Sequence, residues 1–176
     1  IWGRRILNIL ELIDLSIGIK NDSNTLLKNV DLSIRVGEVM GLVGESGSGK
    51  TLLSLGIMGL LPKNIKILNG NIKLNGESII DPRTNKIKRI ASDITMIFQN
   101  PKNALNPTMK IGDQIINVIR HNSKNKKESK KSVVFDLLND VGIPGVKRIY
   151  ESYPHQLSGG MCQRVMIAMA LVCKPK

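Results

Sequence analysis

A glycine-rich segment in the first third of the chain constrains its fold most. It runs Gly44-Glu-Ser-Gly-Ser-Gly-Lys-Thr51 and follows an apolar run, Val39-Met-Gly-Leu-Val43. Glycines let the backbone curl around an anion with its amides pointing inward, and the start of a helix adds positive potential there. The segment therefore predicts a phosphate-binding loop between a buried strand, 39–43, and a helix, 51–61, that Pro62 ends.

Each residue of this loop has an expected role. We expect the Lys50 ammonium to reach the β- and γ-phosphates of a nucleoside triphosphate and the Thr51 hydroxyl to hold Mg²⁺. The other expected contacts come from Gly44, Glu45, Ser46, Gly47, Ser48 and Gly49. The motif does not distinguish ATP from GTP. The competing interpretation, a glycine-rich turn with a chance lysine, is disfavoured by the strand and helix that flank it.

A second glycine motif, Ser158-Gly159-Gly160, stands far downstream. Ser158 is a good N-cap, which predicts a last helix running to about Cys173. Its hydroxyl and the free amides that follow form a second anion site. Taken alone this signal is weak, because many helices begin in this way.

The rest of the chain changes character near residue 98. Alternating apolar residues predict strands over 9–17 and 27–36, and Asn75-Gly76 predicts a hairpin. Another apolar run, 94–98, predicts a buried strand that ends at Gln99. After Pro101 the apolar residues follow helical spacing in two stripes: Ile111, Ile115, Ile116 and Ile119, then Val133, Val134, Leu137, Leu138 and Val141. This order predicts one α/β nucleotide-binding core with a helical insertion.

The net charge of +12 raises the question of a nucleic-acid partner. Most lysines are scattered, and the one basic run, 120–131, lacks the interleaved aromatic residues on which bases stack. We interpret that run as a solvated loop and helix start and predict no nucleic-acid partner. Cys162 and Cys173 lie about 16 Å apart on the predicted helix, too far to bridge, which predicts reduced thiols.

The order of these motifs resembles the nucleotide-binding subunits of ABC transporters, over nearly the whole chain. Longer strings are similar to the oligopeptide, dipeptide and nickel importer branch: Met96-Ile-Phe-Gln-Asn-Pro101, Ala104-Leu-Asn-Pro107, Ile111-Gly-Asp-Gln-Ile115 and Tyr153-Pro-His-Gln-Leu-Ser-Gly-Gly-Met161. These strings do not name the transported substrate.

The resemblance implies a P-loop NTPase fold of the ABC type: a RecA-like α/β core with an antiparallel β-subdomain and a helical subdomain. It places the first part of the core with the β-subdomain at 1–98, the glutamine loop and helical subdomain at 99–157, and the signature with its helix at 158–176. The C-terminal part of the core is expected to be absent from this chain.

The resemblance also implies roles for individual residues. Each ATP would lie between the phosphate loop of one ATPase subunit and the signature of a second. Gly44–Thr51 would bind ATP and Mg²⁺, and Ser158, Gly159 and Gly160 would contact the partner's ATP. Lys50 and Gln99 would be catalytic, with Thr51 and Gln99 at the metal.

The partners implied are a second ATPase subunit, identical or paralogous, and permease subunits that dock on the helical region. An extracytoplasmic substrate-binding protein would act indirectly. The implied function is the ATP-binding subunit of an ABC importer for peptides or nickel, peripheral on the cytoplasmic face of the membrane.

Hydrolysis is expected of the full-length protein and not of this chain alone. In the family, the magnesium-holding Asp, the general-base Glu and the switch His follow the position of Lys176, so His121 and His155 are not assigned that role. Two alternatives stay open. One is a soluble ABC-type ATPase acting on nucleic acid or the ribosome, disfavoured because 58 residues between Gln99 and Ser158 are too few for a coiled-coil arm. The other is a non-hydrolysing ATP-binding protein.

Overall fold

The computed structural model describes residues 8–22, 24–88, 93–122 and 130–176. It divides into two units, Ile1–Ile90 and Ala91–Lys176. The first unit is built on a sheet and one helix, and the second is helical. No helix in the described ranges combines the length and apolar character needed to cross a bilayer.

The first unit contains an antiparallel sheet of four strands in the order β2-β1-β3-β4. The strands are β1 (Asn8–Ile19), β2 (Thr25–Arg35), β3 (Ile65–Leu74) and β4 (Glu77–Ser78). Two short strands, β5 (Ile80–Asp81) and β6 (Lys86–Ile87), form a separate hairpin. The predicted turn at Asn75-Gly76 is confirmed, since both residues have positive φ, 52° and 81°, as a type I′ turn requires.

The three long strands share a break in their side-chain alternation. In β1 the buried apolar side chains switch from even numbers, Leu10 and Leu12, to odd numbers, Leu15 and Ile17. A regular strand cannot keep both sets on one face, so an extra residue must be accommodated. Asp14 accommodates the extra residue by adopting a left-handed conformation, with φ 50°. On the neighbouring strands, Asn29 (φ 50°) and Gly70 (φ 94°) adopt left-handed conformations at the corresponding breaks.

Polar side chains hold this irregularity in place. The Asp14 carboxylate accepts hydrogen bonds from the side-chain amides of Asn29 and Asn69, and its backbone N–H donates to Asp31 at 2.9 Å. The Ser16 hydroxyl accepts from the Asn29 N–H at 3.0 Å. The bulge therefore has its own hydrogen-bond partners, and the apolar residues on both sides of it face the same core.

Helix α1 (Lys50–Ile57) packs against this sheet. Leu53 is buried, and a Cβ built at Gly56 would lie 2.6 Å from the Ile17 side chain. The prediction that this helix reaches residue 61 and is ended by Pro62 is wrong. Gly59, with φ 68°, ends it, since the Gly59 N–H bonds to the Gly56 carbonyl and the Leu60 N–H to the Leu55 carbonyl, as in a Schellman motif.

Two predicted buried strands are not strands in the structure. Residues 39–43 and 94–98 have no ladder pairing within the described ranges, and Val39 and Val43 are 97% and 91% exposed. Ile97 and Phe98 are also exposed, at 47% and 43%. An apolar run becomes a buried parallel strand only when neighbouring strands supply its hydrogen bonds and helices cover its faces.

The second unit packs its helices around one apolar core. They are α2 (Pro101–Ala104), α3 (Ile111–Asn122), α4 (Lys130–Asp140), α5 (Val146–Glu151), a 3-10 turn (Pro154–Gln156) and α6 (Gly159–Val172). Both predicted helices with apolar stripes are confirmed, because Ile111, Ile115, Val134 and Leu138 are completely buried. Of the basic run at 120–131, residues 123–129 lie outside the described ranges.

The predicted C-cap of α4 is confirmed at Gly142. This glycine has φ 71°, its N–H bonds to the Asn139 carbonyl at 2.8 Å, and the Ile143 N–H bonds to the Leu138 carbonyl at 3.0 Å. Leu138 and Ile143 both belong to the core of the unit, which supplies the apolar contact that accompanies such a cap. The end of α4 is thereby fixed in position.

Candidate functional site

The predicted phosphate loop forms a compact turn before α1. Residues 41–48 are exposed, and the Ser48 N–H closes the turn on the Glu45 carbonyl at 3.2 Å. Gly47 and Gly49 have φ 85° and 90°, conformations that favour glycine. Gly49 also has no room for a side chain, because a Cβ there would lie 2.5 Å from the Leu27 methyl group on β2. β2 therefore fixes the junction between the loop and α1.

The Lys50 side chain folds back over the loop. Its ammonium donates to the carbonyl oxygens of Gly44 at 2.8 Å and Glu45 at 2.7 Å, and to the Ser48 hydroxyl at 3.2 Å. None of these three acceptors carries a charge. The positive charge of Lys50 is therefore not neutralised and lies at the mouth of the loop. A multivalent anion that enters the loop competes for this ammonium because its negative charge adds a Coulomb attraction that the neutral acceptors lack.

The start of α1 supplies the remaining donors. The first amides of a helix have no partner within it, and α1 has neither a side-chain cap nor an acidic residue in its first turn. Thr51 is exposed in that turn. The backbone amides and the Lys50 ammonium suit a polyphosphate. The hydroxyls of Ser46, Ser48 and Thr51 suit a hard divalent cation, which prefers oxygen ligands. The residues present therefore suit Mg²⁺ and a nucleoside triphosphate.

The signature residues lie in the second unit, at the start of α6. The predicted N-cap is confirmed, since the Ser158 hydroxyl accepts from the Met161 N–H at 3.3 Å. Ser158, Gly159 and Gly160 are exposed, and no atom lies within 4 Å of a Cβ built at either glycine. An anion can approach this helix start without steric hindrance.

Gln99 is exposed immediately before α2 in the same unit. α2 packs against α6, so the segment that follows Gln99 contacts the helix that the signature begins. The structure thus places both predicted sites in one unit, each just before or at the start of one of two helices that contact each other. The phosphate loop lies in the other unit.

Arg164 is a positioning residue that the sequence reasoning missed. From the second turn of α6, its Nη1 donates to the carbonyl oxygens of Val141 at 2.8 Å and Gly142 at 3.0 Å. These carbonyls lie at the end of α4, where a cation also interacts favourably with the helix dipole. The last carbonyl oxygens of a helix need hydrogen-bond donors from outside it. The predicted C-cap at Gly142 was therefore the available signal for a donor such as Arg164.

Gln114 is a second residue that was missed. It is 6% exposed on the apolar face of α3, and its side chain makes three hydrogen bonds of 2.9 Å. It accepts from the Asn106 N–H and donates to the carbonyl oxygens of Asn106 and Met109. The side chain thus holds the Leu105-Asn-Pro107 loop against α3, and a polar residue between Ile111 and Ile115 was the available signal.

Cys162 lies in the first turn of α6 and is completely buried. Its thiol donates to the Pro154 carbonyl at 3.6 Å, which ties α6 to the 3-10 turn before the signature. Burial raises the pKa of the Cys162 thiol, and it does the same for Cys173 at the other end of the helix. The helix start is therefore held by a neutral thiol, a serine cap and the Arg164 bonds.

The sequence matches a known family and curated relatives. Residues 27–176 match the family described as ABC transporter. The oligopeptide transport ATP-binding protein OppD of Lactococcus lactis subsp. cremoris is 44% identical over 171 residues, 96% of this chain and 51% of the relative. The dipeptide transport ATP-binding protein DppD of Escherichia coli is 43% identical over 150 residues, 84% of this chain and 45% of the relative. The chain spans about half the length of these relatives.

Solved structures share the fold. CbiO1 from Clostridium perfringens, described as part of the ABC transporter complex cbiONQ, superposes with a TM-score of 0.76 at 28% identity, covering 97% of this chain and 63% of that one. A dimeric structure of the ATP-binding cassette MJ0796 bound to ADP and Pi gives 0.75 at 27% identity, covering 94% and 70%.

Proposed function

Because this chain belongs to the ABC transporter family, we propose that it forms part of the ATP-binding subunit of an importer for peptides or nickel. The observation that carries the proposal is the phosphate loop, in which Lys50 is held by neutral acceptors beside the open start of α1. The peptide assignment is supported by the relatives, which are named for oligopeptide and dipeptide transport.

In this proposal, nucleotide binding rearranges Lys50 and leaves α1 in place. The ammonium leaves the carbonyls of Gly44 and Glu45 for the β- and γ-phosphates, while the amides at the start of α1 bind the same phosphates. Thr51 and Gln99 would each offer an oxygen to Mg²⁺, whose charge would offset that of the phosphates. Gly49 lies directly against the Leu27 side chain, so the junction between the loop and α1 rests on β2.

The signature serves a second ATPase subunit. Ser158, Gly159 and Gly160 offer a hydroxyl and free amides to the γ-phosphate of the nucleotide bound by the partner, which makes ATP the link between subunits. Support comes from the dimeric state described for MJ0796. The helical region, 99–157, docks on permease subunits at the cytoplasmic face of the membrane, where the subunit is peripheral and an extracytoplasmic binding protein delivers the substrate.

The 176-residue chain by itself is proposed to bind ATP and to hydrolyse it negligibly. Phosphoryl transfer depends on a positioned metal and a positioned water. The residues named here supply a phosphate site and two metal contacts, and none of them is a carboxylate that activates water. Magnesium-dependent turnover by the purified chain would contradict this part of the proposal.

Nucleotide binding is tested by titrating a fluorescent ATP analogue into the protein and its Lys50→Ala variant. Losing one charge-assisted contact is expected to weaken binding by about tenfold to a hundredfold. Lys28→Ala removes an exposed lysine from β2 and serves as the matched control, with affinity unchanged. Equal affinities for the Lys50 and Lys28 variants would show that the loop does not bind the phosphates.

A further inference from the structure

The first unit contains a cavity of about 520 Å³ that the proposed function does not use. It lies between the C-terminal end of α1, strand β3 and the β5–β6 hairpin. We call it the hairpin cavity. Its volume falls within the range of roughly 300–1,000 Å³ that small-molecule sites occupy. The cavity opens to solvent, so a ligand can enter without unfolding the hairpin.

The charged residues that line the hairpin cavity are all basic: Lys20, Lys63, Lys66, Arg83 and Lys86. Among the described residues, no aspartate or glutamate lines it. In the described parts of the chain, none of these five side chains takes part in an ion pair. The Lys20 ammonium donates to the Lys63 carbonyl, which places one cation at the wall. Cations that share a cavity repel one another, and an anion of more than one charge removes that repulsion.

The rest of the lining is apolar or neutral. Leu61, Ile67 and Ile87 form apolar surface, and the hairpin turn adds the Thr84 hydroxyl and the Asn85 amide. The guanidinium of Arg83 can bind two oxygens of one phosphate in parallel. Basic groups together with apolar surface fit a molecule that carries phosphate next to an apolar portion.

We propose that the hairpin cavity binds a small phosphate-bearing molecule with an apolar portion, at a site separate from the phosphate loop. Helix α1 connects the two sites. Lys50 and Thr51 stand at its start, and Gly56 lines the cavity near its end, about 9 Å from Lys50 along the axis. Near the end of α1, the carbonyl oxygens of Gly56 and Leu55 accept from the N–H groups of Gly59 and Leu60, so these two oxygens are already bonded within the chain.

Two probes distinguish the possible sources of the phosphate: inorganic tripolyphosphate for a soluble ligand, and dihexanoyl phosphatidic acid below its micelle concentration for a lipid headgroup. Each is titrated calorimetrically at low salt into the protein carrying Lys50→Ala, which minimises binding at the phosphate loop. Nucleotide binding is measured separately on the unaltered Lys50, so failure of this proposal and failure of the proposed function give different results.

The double substitution Lys66→Gln and Arg83→Gln removes two positive charges from the hairpin cavity. We expect it to weaken binding of whichever probe binds more tightly by about tenfold or more, because two contacts with a polyanion are lost. The control pair Lys147→Gln with Arg148→Gln removes the same charge from exposed positions on α5 and is expected to change affinity less than about twofold. Should the first pair disturb folding, seen as a lowered melting temperature, Lys63→Gln with Lys86→Gln replaces it.

Preference for tripolyphosphate supports a soluble phosphate ligand, and preference for the phosphatidic acid supports a lipid headgroup. The absence of binding by both probes overturns the proposal. Equal loss of affinity in the cavity pair and the control pair also overturns it, because the attraction would then reflect the overall positive charge of the protein.

Discussion

Arg164 on α6 bonds to the end of α4 through the Val141 carbonyl oxygen, with a distance of 2.8 Å from its Nη1. The same nitrogen lies 3.0 Å from the carbonyl oxygen of Gly142. One guanidinium therefore connects the helix that begins at Ser158 with the cap of a helix in the unit's core. The orientation of the signature depends on this link.

We expect Arg164→Gln to lower the free energy of unfolding by about 1 kcal/mol, since the residue is exposed and water replaces part of what is lost. Arg164→Lys keeps the positive charge at the end of α4, so we expect it to lower the free energy of unfolding by less. Urea denaturation followed by circular dichroism measures both. Gln163→Ala, exposed on the same turn, is the control, and an equal effect there would contradict the role given to Arg164.

Gly70→Ala is expected to destabilise the first unit by more than about 2 kcal/mol, because φ is 94° and the new Cβ would lie 2.3 Å from the Asp14 carbonyl oxygen. Gly76→Ala is a matched control, with φ 81° and no atom within 4 Å, and is expected to cost only about 1 kcal/mol. Thermal melts compare them. Equal losses would mean that the bulge tolerates a side chain.

Ser158→Ala removes the cap of α6 and is expected to cost about 1 kcal/mol of stability. Ser158→Asn keeps a side-chain oxygen that can accept from the Met161 N–H and is expected to retain most of it. Chemical denaturation gives both values. If the asparagine variant is as unstable as the alanine variant, the serine stabilises the helix start by something other than capping.

The ion pair between Lys110 and Glu151, at 2.8 Å, predicts a dependence of stability on pH. The hydrogen bond from Lys110 lowers the pKa of the Glu151 carboxyl, and the hydrogen bond to Glu151 raises the pKa of Lys110. The carboxyl's contribution is complete above its pKa in the unfolded chain and is lost as pH falls through its lower folded value. The lysine's contribution is complete below its unfolded pKa and is lost as pH rises through its higher folded value.

Melting temperatures measured from pH 7 down to pH 2 should therefore fall less steeply for Glu151→Gln than for the unaltered protein. Both groups are exposed, so salt near 1 M should reduce the difference between the two curves. Parallel curves at low salt would contradict the coupling.

The two thiols should differ in reactivity. Cys162 is completely buried and Cys173 partly buried, so an aromatic disulfide reagent is expected to modify Cys173 in the folded protein. Cys162 should react only when the second unit opens, because burial excludes the reagent. The variant Cys173→Ser isolates Cys162, and its labelling rate should rise with urea. Rapid labelling of Cys162 in the folded protein would show that α6 is mobile at its start.

Much of the fold follows from local patterns. The fold class, an ABC-type P-loop NTPase with an antiparallel β-subdomain and a helical subdomain, agrees with the match to known cassettes. The stripe from Ile111 to Ile119, the cap at Gly142 and the turn at Asn75-Gly76 were predictable because each depends on nearby residues. The roles of Lys50, Gln99 and Ser158 in nucleotide chemistry remain predictions.

The errors at the two strands have a non-local cause. Strands at 39–43 and 94–98 need pairing partners, which an apolar run does not specify. The helix after Lys50 ends before the predicted stop at Pro62 because of a local signal, since Gly59 supplies an earlier cap. Near Asp14, Asn29 and Gly70 the apolar residues change from even to odd positions or the reverse, which is visible in the sequence. Only the structure shows that these three breaks lie side by side in the sheet.

The pairing of β1 also sets the order in which the sheet can assemble on the ribosome. Leu10 pairs with Ile34 on one side and with Leu74 on the other, so β2 is available long before β3. At the usual rate of synthesis the interval is roughly 2–8 s. During that time the open edge of β1 and the apolar face of the hairpin are exposed to other nascent chains and to chaperones. We therefore expect slower synthesis between the codons for Ile34 and Leu74 to lower the yield of this chain.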